Sequence, residues 1–419
     1  MTPQVKQRIE QIRRGEVPEG YKKAKVGVVP SEWEITKLSS ISSHVTKKNT
    51  DGNIQTTFTN SATQGVIKQT DYFDKEISNR ENITGYYVVQ ENDYIYNPRI
   101  SASAPCGPIN KSHFVDEGVV SPLYTVFKMT NDLQKNQYIE YYLKSPFWHR
   151  YMCGVANYGA RHDRMNITND DLFAMPVPLP PLAEQKKIAE ILSTQDKLIA
   201  LKEKLLEEKK CQKKALMQQL LTGKKRLPGF SGDWVDVKLG NVFAERVETN
   251  CQDLELLSVT GTNGVVPRST IETKDNSSED KSKYLKICKG DIGYNTMRMW
   301  QGVSALSEHE GIVSPAYTIL IPSPEISAKY FSYLFKMHAV IFLFYRFSQG
   351  IVDDTRSLKY HEFAKLHLTV PKDKKEQEAI AEILTVADQE IEILKKDLDQ
   401  EKQKKKALMQ LLLTGIVRV

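Results

Sequence analysis

Four stretches of this sequence concentrate side chains that hydrogen-bond to base edges and phosphates. NPRISAS at 97–103 and NYGARHDR at 157–164 lie in the N-terminal half; NTMRMWQG at 295–302 and SQGIVDDTR at 348–356 lie in the C-terminal half. Arginine can grip a phosphate or both acceptors on a guanine edge, asparagine and glutamine match adenine, and aromatics make close, flat contacts. The candidate contacts are Asn97, Arg99, Asn157, Tyr158, Arg161 and Arg164 in the first half, and Asn295, Arg298, Trp300, Gln301 and Arg356 in the second. Each has a plainer alternative: a surface salt bridge for the arginines, and a core aromatic with a polar edge for Tyr158 and Trp300.

Signals for covalent chemistry are weak by comparison. An adenine methyltransferase needs Asn or Asp before two prolines and an aromatic to hold a flipped base, and Asn97-Pro98-Arg99 lacks the second proline. Thr222-Gly223-Lys224-Lys225 has no glycine at the earlier position of a phosphate-binding loop, so Gly223 reads as a helix cap. His149 and His162 stand among aromatics and arginines, but no histidines have the spacing of a metal site or of a nucleophile with its base. A nuclease built from scattered carboxylates stays open.

The elements that position these loops are visible as an internal repeat. Residues 184–223 and 376–415 align without a gap at an offset of 192; both open with EQ, share IAEIL, and close with KKALMQ and LLTG. Neither copy contains Gly or Pro before its final Gly, so each reads as one long helix, a rod of about 60 Å. In the second copy Ile380, Leu384, Ala387, Ile391, Leu394 and Leu398 alternate by four and three, and Glu401 and Lys405 then interrupt the seam before Leu408 and Leu412. The first copy places Gln195 and Lys202 in the slots of Ala387 and Leu394, and its extra Leu198, Leu201 and Leu205 widen or rotate the stripe. Such rods need partners, and the simplest arrangement packs the two copies antiparallel about an approximate two-fold axis. A homodimerising coiled coil is the alternative. The lysine clusters 209, 210, 213, 214 and 402, 404, 405, 406 read first as a solvated face.

The segments before the helices echo one another more loosely. Trp33 matches Trp234, GVVSPLYT at 118–125 matches GIVSPAYT at 311–318, and DYIYN at 93–97 matches DIGYN at 291–295. Short β-branched and aromatic runs between Gly, Asn, Asp and Ser clusters give a mixed α/β (α+β) class. The plan is an N-terminal helix and arm at 1–24, a globule at 25–180, a spacer helix at 181–223, a second globule at 224–371 and a second spacer helix at 372–419. The length of 419 residues suits two or three domains, and a net charge of +6 favours an anionic partner. Five widely spaced cysteines show no disulfide or zinc spacing, and no signal peptide or bilayer-length apolar run is found; a reducing, cytoplasmic setting is expected, with no membrane partner.

These features together resemble the specificity subunits of type I restriction-modification systems. The likeness covers nearly the whole chain and rests on the helix entries PLPPLAEQKKIAEIL and VPKDKKEQEAIAEIL, the LLTG ends, the openings VPSEWEITKL and LPGFSGDWVDVKL, and the strands GVVSPLYTVF and GIVSPAYTIL. It implies two target-recognition domains joined by two long antiparallel coiled-coil helices, each domain reading one half of an interrupted, asymmetric site in double-stranded DNA. It further implies a non-catalytic chain on whose helices two modification subunits dock. S-adenosylmethionine, ATP and Mg are then expected on the modification and restriction subunits and none on this chain. A coiled-coil scaffold without DNA binding is the competing reading.

Overall fold

A computed structural model describes residues 2–72, 80–130, 133–156, 163–261, 263–272, 277–352 and 355–419. The chain divides into two compact units, Met1–Leu201 with Leu398–Val419, and Lys202–Asp397. Each is mixed α/β, and each is built on the same sheet.

In the first unit four antiparallel strands lie in the order Ser42–His44, Thr125–Met129, Tyr94–Tyr96, Ile109–Lys111. Alternation along the strand Tyr94–Tyr96 sends Tyr94 and Tyr96 into the main core and Ile95 into a second cluster with Phe58, Val89, Val120 and Val126. The sheet is thus covered on both faces, which is why its strands read as apolar runs. The second unit repeats the order with Phe243–Glu245, Tyr317–Pro322, Ile292–Asn295, Ser304–Leu306. There Ile292 and Tyr294 enter the main core, while Ile319 joins Leu257, Val259, Ile287 and Val313 on the other face.

The duplicated segments are the helices Leu182–Leu220 and Lys374–Leu413. Both end in the same way: Gly223 (φ +69°) and Gly415 (φ +68°) adopt the left-handed conformation, and the amides of Lys225 and Val417 reach back to the carbonyls of Gln219 and Leu411. A Cβ at Gly415 would stand 2.4 Å from Pro30 Cγ, and one at Gly223 would stand 3.1 Å from Trp234, so both caps are pressed against the tryptophan that opens a globule.

Within each unit the two helices run antiparallel. In the first, Glu184 meets Arg418 and Gln195 meets Glu401; in the second, Lys202 meets Asp397, Lys209 meets Glu390 and Lys213 meets Asp388. The IAEIL motif anchors the start of each helix: Ile188 and Leu192 lie in the first core beside Leu412 and Leu413, and Ile380 and Leu384 lie in the second beside Leu220 and Leu221. The polar break in the seam pairs with the polar slot opposite, since Gln195 is buried and donates to Glu401 Oε2 at 2.6 Å. The lysines are less solvated than their clustering implies, because Lys209, Lys213 and Lys405 each pair with a carboxylate of the facing helix. Leu201 and Leu205 of the widened stripe stay exposed.

Candidate nucleic-acid interface

In the first unit the strand Tyr94–Tyr96 runs directly into Asn97. That residue is buried; its Nδ2 donates to the Asn60 carbonyl at 3.0 Å and its Oδ1 accepts the Arg99 amide at 3.0 Å. Asn60 in turn donates to the carbonyls of Ile95 and Pro108, and Asn110 donates to Asn60 Oδ1 at 2.7 Å. Both ends of the Asn97 amide are therefore engaged in shaping the loop that carries Arg99. The amide relay through Asn60 and Asn110 carries no local sequence signal, because its two bonded pairs span 37 and 50 residues.

Beyond Asn97 the loop meets the segment after residue 162. The Met165 amide donates to the Pro98 carbonyl, the Ile100 amide to the Asp163 carbonyl, and Arg99 faces Arg164 across this short antiparallel bridge. Arg99 is exposed. Arg164 is half-buried, lies 3.6 Å from Asp163, and keeps a buried Nε without a hydrogen-bond partner among the described residues. The bridge sets the backbones of two arginines opposite each other on one ledge, and an anion bound there would gain from both charges. Asn157, Tyr158 and Arg161 lie outside the described residues. A cleft of about 500 Å³ adjoins the loop, lined in part by Gln64, Ser103, Asn110, Lys144 and His149. Burial holds the His149 imidazole below its usual range, which favours its neutral form there.

The second unit builds its ledge in the same place. Asn295 follows the strand Ile292–Asn295, and its Oδ1 accepts the Met297 amide at 3.0 Å, the same two-residue turn as at Asn97. The Leu358 amide donates to the Thr296 carbonyl, so the stretches 295–302 and 348–356 come together as their counterparts do. Lys336 Nζ donates to the carbonyls of Gly302 at 2.7 Å and Ser304 at 2.6 Å and fastens the loop's far end. At Gly302 (φ +79°) a side chain would collide with Ile341 at 2.7 Å.

On this ledge Tyr345 is the organiser. The Arg356 guanidinium stacks 4.2 Å over its ring, and Trp300 meets it edge-on at 6.1 Å while donating its indole N–H to the Met297 carbonyl. Gln301 is exposed, and Arg298 is half-buried. Ile351, Val352 and Phe342 are exposed beside them in sequence. Tyr345 escaped the sequence reading because HAVIFLFYRF at 338–347 has the apolar density of a core helix.

Residues 30–209 and 231–402 match the type I restriction modification DNA specificity domain. The chain belongs to that family. Both matched stretches begin beside an opening tryptophan and run into a long helix, so the match falls on the two repeats. Sequence-specific DNA recognition is the function that this membership carries, and a coiled-coil scaffold without DNA binding is not supported. Among curated relatives, the provisionally assigned type I restriction enzyme MjaX specificity subunit of Methanocaldococcus jannaschii is 25% identical, covering 96% of this chain and 97% of its own. The MjaVIII specificity subunit of the same organism is 28% identical over 58% of this chain and 62% of its own. Among solved structures, a chain from a study of complex assembly and conformational transition of the type I R-M system has a TM-score of 0.58 at 14% identity, covering 93% of this chain and 99% of that one. The type I restriction-modification S subunit of M. genitalium has a TM-score of 0.51 at 16% identity, covering 91% and 96%. Among the described residues of this specificity-family chain, no helix is long and apolar enough to cross a membrane.

Proposed function

We propose that each unit of this chain reads one half of a bipartite, asymmetric site in double-stranded DNA, and that the two long helices set the spacing of the halves. One observation carries the reading: the two units share their framework almost bond for bond, and their outward loops differ. Glu184 and Glu376 take the bidentate grip of Arg418 and Arg226; Gln185 and Gln377 donate to Pro180 and Pro371; Asp196 and Asp388 each hold a tyrosine and a lysine. On that common framework the first ledge carries Arg99 and Arg164 and the second carries Trp300, Gln301 and Arg356, which fits two different sequences presented to two equivalent readers.

The chain itself is non-catalytic in this reading and acts in the cytoplasm. Two modification subunits bearing S-adenosylmethionine dock on the helices, and exposed apolar residues at Leu201, Leu205, Ile383, Val386 and Ile393 support a protein partner there. ATP and Mg belong to the restriction subunits. Footprinting of the assembled complex tests the assignment. Two short protected blocks with different sequences, separated by an unread spacer, are expected; one continuous palindromic block contradicts it.

A further inference from the structure

Cys106 and Cys153 lie 47 residues apart in sequence, yet their sulfurs face each other at 3.4 Å. Cys106 closes the loop that carries Arg99: its carbonyl accepts the Tyr96 hydroxyl at 3.0 Å, and its side chain is wholly buried. Cys153 is exposed, on the helix His149–Val155 that leads toward the stretch 157–162. A disulfide needs the sulfurs to close by only about 1.4 Å from this separation.

We infer that Cys106 and Cys153 form a reversible dithiol–disulfide site that ties the first recognition loop to the helix behind it. The oxidant is hydrogen peroxide, and the roles follow from exposure. The Cys153 sulfur attacks the peroxide, the O–O bond breaks, and hydroxide leaves to become water, giving a sulfenic acid at Cys153. The Cys106 sulfur then attacks the Cys153 sulfur; the S–S bond forms, the S–O bond breaks, and the hydroxyl departs as a second water with the Cys106 proton. The two thiols together supply the two electrons that reduce the peroxide. Burial is the main reason the Cys106 thiol is pushed up to about 12, which suits it to wait as the resolving thiol and leaves Cys153 to meet the oxidant. A bond of this kind is compatible with a reducing compartment as a transient state.

The link of this site to recognition rests on the DNA-reading assignment, but the chemistry is tested without DNA. The full chain is treated with hydrogen peroxide, unfolded, alkylated and mapped by mass spectrometry, and hydrogen exchange is compared before and after. The expected result is loss of two thiols per chain, a cross-linked peptide pair containing residues 106 and 153, full recovery with dithiothreitol, and slower exchange of the 97–107 amides in the oxidised chain. Cys153→Ser, at an exposed position, abolishes the cross-link and leaves Cys106 open to alkylation only after unfolding. Higher oxides at Cys153 with Cys106 still alkylated, or equal thiol loss in Cys153→Ser, overturns the inference. Unchanged exchange at 97–107 overturns the tie to the loop.

Discussion

Tyr345 seats both an arginine and a tryptophan of the second ledge, so its ring and its hydroxyl make separable predictions. Removing the ring in Tyr345→Ala frees Arg356 and Trp300, and affinity for the second half-site falls about 5- to 10-fold, from a cation–π contact of roughly 1 kcal/mol and the lost packing. Tyr345→Phe keeps the stack and stays within about two-fold of wild type. Titration of each variant complex against DNA altered in one half-site checks both, and equal losses in the two variants would contradict the stacking account. In the first unit, Arg99→Ala and Arg164→Ala cost about 1–3 kcal/mol each at the first half-site if they read guanine, with relaxed sequence preference. A loss uniform across sequences would assign them to phosphate. Lys336 adds a pH signature. Burial chiefly, with the nearby Lys213 charge, holds its ammonium down to about 8. The unfolded value is about 10.4, so between these limits the unfolded chain binds more protons and stability rises with pH; below about 8 both states are charged and the cost is fully present. Denaturation of wild type and Lys336→Met from pH 7.5 to 10 should show the rise in wild type alone.

The long helices are tied into the globules by two equivalent ion pairs. Arg226 grips Glu376 through Nε at 2.7 Å and Nη2 at 2.8 Å, and Arg418 grips Glu184 at 2.6 and 2.9 Å; both glutamates are almost fully buried. Removing either arginine leaves a buried carboxylate without its cation, with only the Trp33 indole N–H still donating to Glu184, and costs about 2–3 kcal/mol, at the lower end for a broken buried pair because the guanidiniums are a third exposed. Arg226→Ala should destabilise the second unit and Arg418→Ala the first by similar amounts, as read by limited proteolysis of each. Loss confined to one unit whichever arginine is removed would break the equivalence. These helices were legible in the sequence because helix length, caps and apolar period are local properties: the absence of Gly and Pro, the LLTG ends and the IAEIL anchors sit within a few turns of what they determine. The pairing of Gln195 with Glu401 was legible only as two separate anomalies, since 206 residues divide them. The ledges were half legible. The stretches that converge were visible from composition, but the loop-shaping bonds of Asn97 were not, because one amide serves equally for a base edge and a turn. Tyr345 was hidden because an aromatic on an apolar helix looks the same in a core as at a rim.

At the scale of the whole molecule, a net charge of +6 together with arginine-bearing ledges predicts DNA affinity that falls steeply with salt, each neutralised phosphate adding about 0.9 to the slope. A flat salt response in the assembled complex would contradict phosphate contact. The central claim concerns spacing, and it is tested most directly by shortening both helices together. Deleting residues 202–205 and 394–397 removes Lys202 and Asp397 together and keeps the residues of the Lys209–Glu390, Lys213–Asp388, Lys405–Asp196 and Gln195–Glu401 ties. The rod loses about 6 Å, close to two base-pair steps, with a rotation of roughly 40°. Selection of bound sites from random DNA by the wild-type and shortened complexes should return the same two half-site sequences with a shorter preferred spacer; unchanged spacing, or altered half-site sequences, would contradict the account.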